Sequence, residues 1–131
     1  MYKNVMIERV DGSDEPTPML ANAATPLRYK QIFGEDLLTL FANAEQTDEN
    51  GRKSYHIDFL GELAFTMAMQ AKAHDGKIKM EKITAGGLLD WLEDYEGMAI
   101  ENAIEDILEV YLGNTKTGSE AKKNNEEQSE S

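Results

Sequence analysis

The middle of the chain, residues 55–74, is apolar on nearly every side when it is arranged as a helix. Its apolar residues are Ile57, Leu60, Ala64, Met67, Ala68 and Ala71 on one side, and Phe59, Leu63, Phe65 and Met69 on the others. A helix of this kind belongs in the interior of a domain, because none of its faces suits water. Asp58, Glu62 and Lys72 interrupt it well before the ~20 apolar residues of a membrane span. We therefore predict the central helix of a small domain, capped by Ser54.

Shorter helical patterns lie on both sides of this central helix. Before it, residues 27–33 follow a Thr-Pro pair that suits a helix start, and a second apolar group occupies residues 37–41. After it, residues 88–95 form a short helical segment, and residues 100–112 carry apolar side chains at spacings of three and four. The pattern predicts an all-α fold, a bundle of about five mostly short helices in residues 25–113.

The two ends of the chain are predicted to lie outside the bundle. Residues 1–24 form an N-terminal arm and loop, in which residues 5–10 are either an edge strand or an extended arm. Residues 11–24 contain the Asp, Gly and Pro residues typical of turns. Residues 114–131 have no apolar side chain except Ala121, so we predict a disordered polar tail.

The charge of the chain limits its partners. Its net charge is −12, from 25 acidic and 13 basic residues. Nucleic acids and anionic membranes would repel such a chain, so we expect neither as a partner. There is no cysteine, which excludes disulfides and thiolate metal sites. The N-terminus has no signal-peptide pattern, and a cytoplasmic location is the expectation.

The sequence offers little chemistry for catalysis. The two histidines, His56 and His74, would be roughly 27 Å apart along one helix and could not share a metal ion. Asp90, Glu93 and Asp94 have helical spacing, but a solvated helix face explains them better than a metal site does. We therefore predict a protein that is not an enzyme, with no catalytic residues, no cofactor and no metal.

Two features near residue 90 allow two interpretations each. The pair Gly86-Gly87 opens a predicted helix, where glycine costs ~1 kcal/mol relative to alanine. It indicates either a frayed helix start or close backbone packing. Trp91 is interpreted as a core anchor, with a contact for a partner as the alternative.

Three stretches resemble tail assembly chaperones of siphovirus-type bacteriophages and prophages, in the order in which that family carries them. The first is Asn22-Ala-Ala-Thr-Pro-Leu-Arg-Tyr-Lys-Gln-Ile-Phe-Gly-Glu-Asp-Leu-Leu38, which is similar to the opening motif of the family. The second, Ala64-Phe-Thr-Met-Ala-Met-Gln-Ala-Lys-Ala73, resembles its central helix. The third, Leu88-Leu-Asp-Trp-Leu-Glu-Asp-Tyr95, resembles its Trp-Leu segment. Residues 1–20 match no motif of the family.

The resemblance implies a mostly helical protein that binds the tape measure protein and keeps it soluble during tail morphogenesis. It also implies self-association, the tail-tube protein as a further candidate partner, and the cytoplasm of an infected or lysogenic bacterial host. The family brings no catalytic residues. A different class of function is also open, an acidic DNA mimic that inhibits a nucleic-acid enzyme, because eight acidic residues and no base lie between residues 84 and 111.

The contact surface for the partner is predicted on the two helices that precede the central one. They offer five large apolar side chains on a short length of chain: Tyr29, Ile32, Phe33, Leu37 and Phe41. A groove for a partner helix could be built from such residues. An ordinary place in the core is the alternative for all five.

Overall fold

The structure is a computed structural model, and it describes residues 1–113. The predicted disordered tail, 114–131, lies outside the described residues. In chain order the strands are β1 (Tyr2–Val5), β2 (Thr17–Leu20), β3 (Glu45–Thr47) and β4 (Lys53–Tyr55). The α-helices are α1 (Thr25–Phe33), α2 (Leu37–Ala44), α3 (Leu60–His74), α4 (Gly87–Leu92), α5 (Ala99–Asn102) and α6 (Ile104–Leu112). A single 3-10 turn, Met80–Lys82, lies between α3 and α4.

The predicted central helix is confirmed as α3, which packs against β2, α1, α4, α5 and α6. Ten of its 15 residues are buried: Leu60, Leu63, Ala64, Phe65, Thr66, Met67, Ala68, Met69, Gln70 and Ala71. Its predicted start is wrong. The helix begins at Leu60, and Ser54 pairs with Gln46 in a sheet instead of capping it. His56 therefore lies outside α3, and the predicted spacing of the two histidines along one helix does not apply.

The all-α prediction, with an extended N-terminal arm, is wrong, because β1 and β2 form an antiparallel sheet that packs on the helices. Val5 stands opposite Thr17 and Lys3 opposite Met19. The side chains of Val5 and Met19 are fully buried in the core. Each strand has only four residues. An alternating pattern that short is hard to recognise, although the start of the apolar run at residues 5–10 belongs to this sheet.

Pro18 lies inside β2, although proline is unfavourable within a strand. Its place in the hydrogen-bond ladder explains why it is tolerated. Met1 and Ala21 exchange two backbone hydrogen bonds, 2.6 and 2.9 Å long. Hydrogen-bonded pairs alternate with non-bonded pairs in an antiparallel ladder, so the pair Asn4–Pro18 is non-bonded. Pro18 therefore faces the outer edge of β2, where its missing N–H removes no bond from the ladder.

The second sheet is a short hairpin of β3 and β4, in a polar stretch between the second apolar group and the central helix. The carboxylate of Asp48 accepts hydrogen bonds from the backbone N–H groups of Asn50 and Arg52, at 2.9 and 2.8 Å. Gly51 has a φ of 77°, which closes the turn. The side chains of Glu45, Gln46, Thr47, Lys53 and Ser54 are polar, so the sequence shows no apolar alternation typical of a strand here. Residues 1–113 are thus a mixed α/β fold.

The last two predicted helices are present but divided differently. The periodic segment 100–112 is interrupted at Ala103, which separates α5 from α6. At the start of α4, a β-carbon on Gly87 would lie 3.3 Å from Cζ of Phe65. Close packing against Phe65 therefore favours a glycine at this position. Trp91 is buried against Phe65, with ring centroids 5.8 Å apart, which supports the core interpretation.

We expect Leu63→Ala to lower the free energy of unfolding by about 2–5 kcal/mol, because this fully buried side chain of α3 would leave a cavity. Urea unfolding followed by circular dichroism measures the change. Leu89→Ala is the matched control, since Leu89 is exposed, and it should change stability by less than about 0.5 kcal/mol. Equal effects at the two positions would contradict the central place of α3.

Candidate functional site

The five residues predicted to contact a partner lie on α1 and α2, but four of them belong to the core. Tyr29, Ile32, Leu37 and Phe41 are buried, and Phe33 is partly buried against the same core. In this fold they hold α1 and α2 onto the rest of the domain and do not form an open groove. The exposed large apolar side chains of these two helices are Leu27 and Leu38.

Four aromatic residues form a continuous row that leads into the core. Phe33 lies between Tyr29 and Phe65, with ring centroids 5.1 and 6.3 Å away. Phe65 in turn contacts Trp91 of α4 at 5.8 Å. Aromatic pairs at these distances stabilise a core by more than the area they bury. This row explains why α1, α3 and α4 each carry a large ring at a fixed place.

A buried polar cluster joins the start of α1 to the middle of α3. The hydroxyl of Thr25 donates to Oε1 of Gln70 over 2.7 Å and accepts from the backbone N–H of Asn22 over 2.9 Å. The side-chain amide nitrogen of Gln70 donates to Oδ1 of Asn22 over 3.3 Å. Thr25 and Gln70 are buried, and every buried side-chain polar atom in the described part of the chain has a partner. This cluster fixes the position of α1 and presents no free group to a ligand.

One carboxyl group in this region is unusual in its surroundings. Burial raises the pKa of Glu62, and the nearby carboxylates of Asp58 and Glu35 raise it further. Burial also raises the pKa of Tyr29, with additional effect from the same three carboxylates. Within residues 1–113, no group of three or more His, Cys, Asp or Glu side chains is placed to hold a metal ion.

A surface that the sequence does not indicate lies beside residues 6–10, which follow β1. Backbone hydrogen bonds of 3.0 Å join Val10 to Asp94 and Glu96 to Glu8, so this segment runs along the end of α4. Two shallow hollows lie on either side of Met6, with volumes of about 320 and 210 Å³. Met6 and Glu8 line both hollows. Pairing between segments so far apart in sequence leaves no local pattern by which to predict it.

The guanidinium group of Arg9 holds the loop that follows this surface. Its nitrogens donate to the backbone carbonyls of Glu15 and Pro16 at 2.9 and 3.3 Å, and to the hydroxyl of Thr17 at 3.1 Å. The same group lies 5.0 Å from the ring centroid of Tyr95, which is a cation–π contact. Arg9 therefore has a structural role, and it also lines the hollow of about 320 Å³.

Comparison with known proteins gives no relative: no protein-family model, no curated protein and no solved structure matches the chain. The resemblance to tail assembly chaperones therefore stays a prediction from three short motifs. In residues 1–113, no helix is both long enough and apolar enough to cross a membrane.

Thr25→Val should lower the free energy of unfolding by about 1–3 kcal/mol. It replaces the buried hydroxyl by a methyl group of similar shape, so Oε1 of Gln70 loses its hydrogen-bond donor. Chemical denaturation measures this cost. Thr39→Val, at an exposed hydroxyl on α2, is the control and should cost less than about 0.5 kcal/mol. The double variant Thr25→Val with Gln70→Leu should lose less stability than the sum of the losses in the two single variants. Strict additivity would contradict a direct interaction.

The raised pKa of Glu62 predicts a pH dependence of stability. The folded chain binds this proton more tightly than the unfolded chain does, so the contribution is favourable below the ordinary pKa of 4.5 and is lost as the pH rises through the raised value. Glu62→Gln should therefore stabilise the fold more at pH 7 than at pH 4. Thermal melts across this range test the effect, with the exposed Glu101→Gln as control. A gain in melting temperature that is equal at both pH values would contradict the burial of Glu62.

Proposed function

We propose that this protein is a bacteriophage tail assembly chaperone, which binds the tape measure protein and keeps it soluble until tail-tube subunits assemble around it. The observation that carries the proposal is the way in which the three resembling stretches meet. Thr25 of the first bonds to Gln70 of the second over 2.7 Å. Phe65 of the second packs on Trp91 of the third at 5.8 Å. The residues of the resemblance are thus the ones that join α1, α3 and α4.

The charge and the surface are consistent with this role. A net charge of −12 keeps a loaded assembly dispersed, since like-charged particles repel each other. Several large apolar side chains are nevertheless exposed on the described part of the chain: Met6, Val10, Leu27, Leu38, Leu89 and Met98. Exposed apolar groups beside a hollow are suited to cover the apolar face of a partner helix, whereas isolated exposed groups are ordinary on a protein surface.

No specific observation on the described residues favours the alternative function, an acidic DNA mimic. A mimic needs acidic groups arranged along an extended surface and free to meet a basic protein. Two acids of the run between residues 84 and 111, Asp106 and Glu109, instead form ion pairs with Lys3 at 3.1 and 2.9 Å. These contacts attach β1 to α6 and give the two carboxylates a structural role.

Co-expression tests the proposed function. We expect the tape measure protein from the same phage or prophage to stay in the supernatant when it is produced together with this chain. Produced alone, the tape measure protein should pellet. Sedimentation and co-purification at low salt are the measurements. An unrelated acidic protein of similar size is the control for charge alone. Equal pelleting with and without this chain, and no recovered complex, would rule the chaperone function out.

The number of copies bound is a second measurable quantity in the same experiment. A long helical client offers many short apolar segments, and many weak contacts along one chain give avidity without a strong single contact. We expect the purified complex to contain several copies of this protein for each client. A one-to-one complex would contradict a coating mechanism, although it would leave client binding intact.

A further inference from the structure

The segment that follows β1 presents a row of side chains to solvent. Residues 6–10 alternate between the surface and the core, as an extended chain does. Ile7 is buried and Arg9 lies over the ring of Tyr95. Met6, Glu8 and Val10 point outward, and 55% of the surface of both Met6 and Val10 is exposed. The outward row is therefore apolar, acidic, apolar.

This row is bordered by space that a partner could fill. Met6 and Glu8 form a common wall between the hollows of about 320 and 210 Å³. The second hollow is bounded on its far side by Ala99 and Ala103, at the ends of α5. Met98, which precedes α5, is also exposed. We name Met6, Glu8, Val10 and the two hollows the Met6 surface.

The exposed charges around the Met6 surface are mainly acidic. Seven exposed acidic residues lie in the two segments that pair here: Glu8, Asp11, Asp14, Glu15, Glu93, Asp94 and Glu96. None of them forms an ion pair within the described residues. The one cation of the two segments, Arg9, is held by Tyr95 and by the loop carbonyls. Lys3, the nearest base on β1, is held by Asp106 and Glu109.

We propose that the Met6 surface binds an amphipathic helix of a partner chain, one that carries lysine or arginine beside its apolar face. The apolar face lies on Met6 and Val10, and the basic side chains reach Glu8 and Asp14 at the rim. The identification of that partner as the tape measure protein rests on the proposed function. The binding surface itself is inferred from geometry and charge.

Two arguments favour a helix as the bound element. Side chains three or four residues apart on a helix lie about 5–6 Å from each other and can enter two adjacent hollows that share a wall. Methionine is unbranched and flexible, so Met6 can adjust to side chains of different shape. A surface of this kind tolerates many helical segments of similar chemistry, which suits a client with many apolar segments.

A synthetic probe tests the surface without the tape measure protein. The probe is a fluorescent helical peptide of about 18 residues, or five turns, with leucine on one face and lysine on the other. We expect Met6→Asp with Val10→Asp to weaken its binding at least tenfold in fluorescence anisotropy, which corresponds to about 1.4 kcal/mol. The matched control is Leu27→Asp with Leu89→Asp, which adds the same charge at positions that are 71% and 70% exposed.

The control separates a binding surface from general attraction between a basic peptide and an acidic protein. If both double variants bind the probe as the unmodified chain does, or lose binding equally, the Met6 surface is not the binding surface and the proposal is overturned. A peptide with glutamate in place of lysine should not bind; equal affinity for both peptides would overturn the role of the acidic rim. Melting curves confirm that both variants are folded.

Repeating the co-expression experiment with the two double variants separates this inference from the proposed function. If the unmodified chain keeps the tape measure protein soluble and Met6→Asp with Val10→Asp does so equally well, the function stands and the surface is wrong. If the probe binds at the Met6 surface but the tape measure protein pellets with every version of the chain, the surface stands and the proposed function is wrong.

Discussion

Ten side chains of α3 must be kept from water, and no single neighbouring element is large enough to cover them. The helix is therefore enclosed from several sides by β2, α1, α4, α5 and α6, all of which have fewer than ten residues. Short helices and four-residue strands are marginal by themselves, and they gain their stability from packing on a common partner. The same reasoning explains why the first strand pair and the last helix meet, with Lys3 bound to Asp106 and Glu109.

The sequence predicts an element well when most of its side chains are buried. It fails for short strands, in which buried and exposed side chains alternate over only a few residues. Residues 60–74 are recognised as a core helix because their apolar side chains fall on nearly every side of the helix. The first two strands are missed because four residues contain only two inward side chains. Lys3 also stands opposite the buried Met19, where an apolar residue is expected, and Pro18 is atypical of a strand interior. Tertiary contacts decide such segments, and those contacts have no local pattern.

The predicted contact surface shows the same limit. In α2 the apolar residues Leu37, Leu38 and Phe41 are equivalent in chemistry, yet the structure buries Leu37 and Phe41 and exposes Leu38. Which face of a short helix turns inward depends on where its neighbours lie, and α2 is too short for its pattern to decide. The Met6 surface could not be found from sequence because it depends on the pairing of Arg9 with Tyr95.

The proline in β2 has a consequence for the behaviour of the chain at high concentration. An outer sheet edge with free N–H groups can add a strand from another molecule, and such additions repeat into aggregates. At Pro18 the outer edge of β2 has no N–H to offer, so strand addition there lacks one of its bonds. A chain with exposed apolar side chains such as Met6 and Val10 is protected from aggregation by any barrier to pairing with copies of itself in register. Pro18 supplies such a barrier on this edge without changing any exposed side chain.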